Sequence, residues 1–132
     1  MQLRPLPVLR WIALLLLVSA YLQGGLDKAF DLTGAIGEMR HFGLEPAAPL
    51  ALAVIVLELG ASLLILAGRL RWVGALALAG FTLAATLVAN RFWTAPAADR
   101  FMMKNGFFEH LGLVGGFLLV AWSDWRERGA NP

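Results

Sequence analysis

Four long apolar runs decide what this chain can fold into. Each run is close to the roughly 20 residues that an α-helix needs to cross a bilayer. We predict transmembrane helices over residues 6–26, 49–67, 70–90 and 105–122. The predicted fold class is therefore all-α, a polytopic four-transmembrane-helix bundle that forms a single membrane domain over residues 1–132.

The composition is that of a membrane protein, so we expect the lipid bilayer as a partner. The chain is 59% apolar and 15% charged, whereas soluble domains are about 45–50% apolar and about 25% charged. It has no cysteine, which excludes disulfides and thiolate metal sites. The lysines and arginines are scattered between the apolar runs, as is typical of membrane spans. We therefore expect no nucleic-acid partner, which would need a basic stripe.

The first run has a second interpretation, because it also resembles a secretory signal peptide. Arg4 and Arg10 precede or begin an apolar stretch, and the small residues Ser19 and Ala20 follow it. We interpret the run as a retained first span.

The connections between the spans differ in kind. Gly68 and Arg69 form a very short turn, so the second and third helices are predicted to be antiparallel neighbours. Residues 27–42 carry apolar side chains at a helical spacing, which predicts a short amphipathic segment at the interface between helices 1 and 2. The connection at residues 91–104 is apolar enough to lie on the membrane surface, and it contains Trp93.

The distribution of basic residues predicts the orientation. Four spans place both termini and the 68–69 turn on one side, with six basic and two acidic residues, against five basic and six acidic residues on the other. Because basic residues favour the cytoplasmic side, we expect both termini on the cytoplasmic side of the membrane and both long connections outside. The six basic residues are Arg4, Arg10, Arg69, Arg71, Arg126 and Arg128.

Glu58 is the most informative single residue, because it lies near the centre of the second span. An acid at the bilayer centre costs about 2.5–3.5 kcal/mol on insertion scales. It must therefore face the bundle, pair with another group or stay protonated. It is then either a group that handles protons or binds a ligand, or a structural acid that is hydrogen-bonded across helices. Its predicted helix face carries Ala51, Ile55, Ala61, Ser62 and Ile65.

Lys28 is the nearest candidate cation for Glu58. Tyr21, Gly24, Gly25 and Lys28 share one helix face if the first helix continues beyond Gly25. The two charges would have to reach toward each other across roughly 13 Å along the helix axis. A direct ion pair and a bridging group or water both remain open, as does a Lys28 that extends to the interface.

Further polar residues are predicted in the outer half of the bundle. If the polar faces of helices 3 and 4 point inward, they form with Lys28 a cluster above Glu58. Convergent polar groups in an apolar cavity are typical of a small-ligand site, and the alternative is a set of structural hydrogen bonds between helices. The other members of the cluster are Asn90, Asn105 and Glu109, flanked by Tyr21, Thr86, Trp93 and His110.

The two histidines give little support for a metal centre. Two histidines from different helices can ligate haem, but His41 falls in the interfacial connection and His110 lies beside the polar face of its helix. We therefore predict no metal site and no haem. The residues show no nucleophile–base arrangement either, so we expect no catalytic residue and a protein that is not catalytic on its own.

Several of these segments together resemble the DoxX family of small bacterial membrane proteins. The similarity covers roughly residues 10–122. It includes SAYLQGGLDK at the end of helix 1, GLEPAAP before helix 2, the hairpin VLELGASLLILAGRLRWVGALAL around Glu58, and KNGFFEHLGLVGG in helix 4. The polar positions that match are Lys28, Glu58 and Asn105. Many members carry a histidine near the end of helix 3, where Asn90 and Arg91 stand here.

The resemblance implies a four-helix membrane bundle with links to quinol oxidase and thiosulfate:quinone oxidoreductase subunits and to complexes that protect against oxidants. We therefore expect an accessory subunit of a membrane complex, with quinone as the candidate cofactor and other membrane subunits or further copies of the chain as partners. Two alternatives remain open. One is a small transporter or binding protein for a hydrophobic ligand with Glu58 as the proton-coupled group, and the other is an assembly or scaffold protein.

Overall fold

The computed structural model describes residues 5–130, which form an all-α bundle. The helices are α1 (Pro5–Phe30), α2 (Leu32–His41), α3 (Ala47–Ala67), α4 (Arg71–Ala89) and α5 (Ala97–Ala130), with a 3₁₀ turn at Phe92–Thr94 before α5. Four of them, α1, α3, α4 and α5, are long and apolar enough to cross a membrane. The fold class predicted from the sequence is confirmed.

The four long helices alternate in direction, which brings the start of α1 and the end of α5 to the same end of the bundle. Arg10 forms an ion pair there with Glu127. The turn between α3 and α4 lies at this end too, since the backbone N–H of Trp72 donates to Asp124 of α5 over 3.1 Å. We call this end of the bundle the terminal end, and the opposite end the α2 end. Arg4, which we counted for the orientation, lies outside the described residues.

The centre of the bundle is closely packed. Val18, Ile65, Leu78 and Phe117, one from each long helix, are fully buried. Helices α3 and α4 approach most closely at Gly74, where an added Cβ would lie 2.7 Å from the backbone oxygen of Ala61. The glycine is therefore required by the contact between these two helices.

The short helix α2 covers part of α3 at the α2 end, as an amphipathic segment should. Asp31 caps its first turn by accepting a hydrogen bond from the N–H of Gly34 at 3.0 Å. Its buried residues Ala35 and Met39 pack with Ala47 and Ala51 of α3 in a small second core.

Two helices extend beyond the predicted ranges. Helix α1 continues through its glycines to Phe30, and α5 begins at Ala97, immediately after Pro96. The prediction of a surface connection over residues 91–104 was therefore wrong for its second half, where Phe101 and Met102 lie on the first turns of α5. With 34 residues, α5 is roughly 51 Å long at 1.5 Å per residue, so it extends past a hydrocarbon core of about 30 Å.

Candidate functional site

Lys28 and Glu58 form a direct ion pair between α1 and α3. Lys28 Nζ donates to Glu58 Oε1 over 3.0 Å. The Glu58 side chain is 7% exposed and that of Lys28 is 21% exposed. Of the two arrangements left open by the sequence, a direct pair and a bridged one, the structure has the direct pair. Continuation of α1 through Gly25 carries Lys28 into reach.

Two glycines of α1 give the pair its room. An added Cβ at Gly24 would lie 3.4 Å from Glu58 Oε2 and 3.5 Å from Lys28 Nζ. One at Gly25 would lie 2.7 Å from side-chain atoms of Leu59. The missing side chains therefore let α1 pass close to α3 at the level of the pair, and they leave Glu58 Oε2 next to Gly24.

An open cleft lies between the end of α1 and α2, directly beside this pair. Its volume is about 380 Å³. Lys28 and Gly24 belong to its wall, so the ammonium group borders the cleft and the carboxylate lies immediately behind it. The remaining lining residues are mostly acidic or small: Gln23, Asp27, Asp31, Gly34, Ala35 and Glu38.

Tyr21 and Thr82 form a buried polar contact next to the packed centre. The Tyr21 hydroxyl and Thr82 Oγ1 are hydrogen-bonded. The Tyr21 ring meets Phe117 edge-on, with ring centroids 5.3 Å apart. The predicted flanking residue Tyr21 therefore joins α1 to both α4 and α5.

Asn90, Thr86 and His110 form a second polar group between α4 and α5. Asn90 Nδ2 donates to Thr86 Oγ1 over 3.1 Å. The side chain of Asn90 lies against Gly106, where an added Cβ would be 3.1 Å from Asn90 Oδ1. His110 Nδ1 lies 2.7 Å from the backbone oxygen of Gly106. The approach of Asn90 to Gly106 connects the α2 ends of α4 and α5, whereas the other two contacts are each local to one helix end.

The other residues of the predicted cluster lie on the outside of the bundle. Asn105 and Glu109 are exposed on α5, and the structure does not bring them together with Lys28 and Glu58. The inward face of α5 is instead taken by Phe117 and its neighbours along the helix. Trp93 is half exposed in the 3₁₀ turn, and its ring centroid lies 5.5 Å from that of Phe107.

The sequence reasoning missed Asp124, which organises the terminal end. Its side chain is 8% exposed and binds Arg128 Nε at 2.8 Å. It also accepts the N–H of Trp72, in the first turn of α4. A signal was present, because Phe117, Ala121 and Asp124 recur at the spacing of one helix face, and that face is buried.

Comparison with known proteins agrees with the resemblance noted in the sequence. A sequence model of the DoxX family matches residues 9–91, more than half of the chain and a segment that contains Lys28, Glu58 and Asn90. Neither the curated proteins nor the solved structures include a match at a significant level. The length of the family match is sufficient for assignment, and the chain belongs to the DoxX family.

Proposed function

We propose that this DoxX protein is an accessory subunit of a membrane complex and binds a quinone headgroup at Lys28 and Glu58. One observation carries the proposal: Lys28, which is paired with the buried Glu58, lines an open cleft at one end of the bundle. The pair offers a charged donor and a charged acceptor at the same place. Such a combination suits a small ligand that has both a carbonyl and a hydroxyl form.

The hydrogen-bonding groups fit both redox forms of a quinone. The Lys28 ammonium has three N–H donors, of which one binds Glu58 Oε1. A quinone carbonyl can accept from another. A quinol hydroxyl can donate to the Glu58 carboxylate, which can also accept the proton. A bound quinone would supply two-electron redox chemistry, while Lys28 orients the headgroup and Glu58 exchanges protons with it.

The size and position of the cleft support the same ligand. A volume of about 380 Å³ falls within the roughly 300–1,000 Å³ of small-molecule sites. The cleft lies between the end of the membrane-spanning helix α1 and the short helix α2, where a headgroup can enter while its apolar tail stays among lipids. Leu26 and Phe30, exposed on the same end of α1, offer apolar surface to such a tail.

The accessory role follows from what such a site would need. A quinone that changes redox state needs an electron donor or acceptor, and a four-helix bundle of this size leaves little room for a redox centre inside it. The electron partner would therefore belong to another subunit. The family resemblance, which links DoxX proteins to quinone-dependent complexes, supports this assignment.

A small binding protein for another hydrophobic ligand is the second candidate, favoured by the same cleft. Transport through the bundle is less well supported than binding. The cleft approaches Glu58 from the α2 end, whereas the centre of the bundle is filled by fully buried side chains. A ligand that enters from the α2 end would have to leave from the same end.

Photolabelling with a short-chain azidoquinone in native membranes tests the proposal. We expect light-dependent labelling of peptides from the cleft wall in the wild type, and strong loss of that labelling in Lys28→Met and Glu58→Gln. Arg91→Gln is the matched control, because Arg91 is an exposed cation outside the cleft wall, and its Nε donates to the backbone oxygen of Leu87. Equal labelling of all four proteins, or labelling confined to other helices, would contradict the proposal.

A further inference from the structure

We propose that two copies of this protein associate in parallel through the exposed face of α5. This helix is the least covered of the four spans, with 11% of its most apolar window buried, against 22–33% for the other three. Its exposed face extends along the helix from residue 105 to residue 122 and is formed by Asn105, Phe108, Gly112, Gly115, Leu119 and Trp122. We call these six residues the α5 seam.

The seam has the spacing of a coiled coil. Its residues follow one another at alternating intervals of three and four, an average period of 3.5, which keeps one face in contact along two supercoiled helices. They occupy the a and d positions of the heptad repeat. The residues that point the other way, including Phe117, Ala121 and Asp124, are buried against the bundle. The seam and the buried face are therefore two separate contact surfaces of one helix.

No close contact within the described bundle accounts for the two glycines of the seam. An added Cβ at Gly112 or Gly115 would meet nothing within 4 Å, so neither glycine makes room for a neighbour within the described bundle. A glycine in a helix costs roughly 1 kcal/mol relative to alanine. Small residues in membrane helices allow the close approach of a second helix. A helix packed against this face would use the space that both glycines leave.

The charges beside the seam identify the partner. Lys104 occupies the g position before Asn105, and Glu109 occupies the following e position. In a parallel pair of helices, a residue at g faces the e residue five positions later on the partner. Lys104 of each copy would therefore meet Glu109 of the other copy, giving two symmetric ion pairs. Both side chains are exposed on the described chain.

This complementarity is with a second copy of the same chain. Across a twofold axis, a surface contacts an identical surface, so the same surface must supply both members of each ion pair. Lys104 and Glu109 meet this requirement. Asn105, at an a position between these charges, would face its own copy across the axis. A buried asparagine at this position selects the register of paired helices.

Disulfide cross-linking in membranes tests the contact directly. The chain has no cysteine, so each single-cysteine variant reports only its own position. Leu119→Cys, at an a position that is 68% exposed, should form a disulfide-linked dimer on mild oxidation, because facing a residues lie within the roughly 4.4–6.8 Å Cα separation of a disulfide. The change leaves both seam glycines in place. Val56→Cys is the matched control, since Val56 is 71% exposed on α3 and should stay monomeric. Equal cross-linking at both positions, or none at Leu119→Cys, would refute the dimer.

A charge-swap experiment tests the identity of the partner. Lys104→Glu and Glu109→Lys should each weaken self-association roughly tenfold, because attraction becomes repulsion at two pairs. Co-expression of the two variants with different tags should favour the mixed dimer, in which both pairs have opposite charges again. A random mixture of tags would overturn the parallel pairing. So would cross-linking of Leu119→Cys to a different protein, because the face would then serve a different partner.

Discussion

Lys28 Nζ lies 3.0 Å from Glu58 Oε1, although 30 positions separate the two residues in the chain. Both charges are largely withdrawn from solvent, at 21% and 7% side-chain exposure. Each charge therefore compensates for the burial of the other. Removal of one charge should lower the free energy of unfolding more than removal of both.

We expect Lys28→Met to destabilise the protein by roughly 3 kcal/mol, because it leaves Glu58 buried without its partner. Lys28→Met combined with Glu58→Leu should recover most of that loss, since two apolar side chains of similar size replace the pair. The free energy of unfolding of both variants can be measured on the purified proteins in mixed micelles with an increasing fraction of dodecyl sulfate. A double variant less stable than either single variant would contradict this account.

Gly74→Ala should destabilise the bundle by about 1–3 kcal/mol, the usual cost of overpacking. Its Cβ would meet a backbone atom, Ala61 O, at 2.7 Å, and the backbone of α3 cannot turn away as a side chain can. Gly80→Ala on the same helix is the control, because its Cβ would meet nothing within 4 Å. We expect that variant to be neutral or up to about 1 kcal/mol more stable. Thermal unfolding in detergent compares the two, and similar losses would show that the close approach is unimportant.

Asp124→Ala should cost about 1–2 kcal/mol, because the first turn of α4 loses the acceptor for Trp72 N–H and Arg128 loses its partner. Asp124→Asn should lose less, since its carbonyl oxygen can still accept from Trp72. The exposed neighbour Ser123 provides the control variant Ser123→Ala. Proteolysis of the 68–69 turn, which lies next to this contact, should accelerate in Asp124→Ala only. Unchanged cleavage would mean that Asp124 does not hold the start of α4.

Tyr21→Phe should destabilise the protein by about 1 kcal/mol, in the range of hydrogen bonds between membrane helices. The change leaves Thr82 Oγ1 buried without its Tyr21 partner. Combining Tyr21→Phe with Thr82→Val removes both polar groups and should restore much of the loss. The double-variant cycle, measured by unfolding in micelles, isolates the contact. Strictly additive effects would indicate that the two hydroxyls do not interact.

The orientation predicted from the basic residues can be measured with reporter fusions. Alkaline phosphatase attached after residue 130 should be inactive, because the enzyme needs an oxidising, extracytoplasmic compartment. The same reporter inserted at Pro96, in the turn between the 3₁₀ segment and α5, should be active. The reverse pattern would place the terminal end outside the cytoplasm and the cleft inside.

Much of the fold could be predicted from hydropathy alone. Helix α3 ends at Ala67 as predicted, and Gly68 follows in the left-handed conformation, with φ 75°, that glycine favours at a helix end. Most of the buried face of α3 was predicted as well. Ala51, Glu58, Ala61, Ser62 and Ile65 are buried, whereas Ile55, assigned to the same face, is only partly buried. These features depend on local periodicity and on the cost of exposing an acid to lipid, both of which a single segment reveals.

The polar residues of α5 show where such reasoning stops. Asn105 and Glu109 were placed in the predicted cluster on the condition that the polar face of this helix points inward, yet both are exposed. The inward face of α5 is determined by packing, because Phe117 fills the centre of the bundle. This fixes the rotation of α5 about its axis and therefore the direction of its other side chains. A polar side chain on the outer face avoids contact with lipid only if another protein surface covers it. The sequence of one chain does not show such a surface.

The sequence by itself determined four spans, their alternating directions and an acid that must face inward. Only the tertiary structure decided which group meets that acid. The direct contact of Lys28 with Glu58 requires α1 to remain helical through Gly24 and Gly25 and to pass so near α3 that an added Cβ would meet Leu59 at 2.7 Å. Hydropathy records the environment of each residue separately, whereas the distance between two side chains depends on how closely their helices pack.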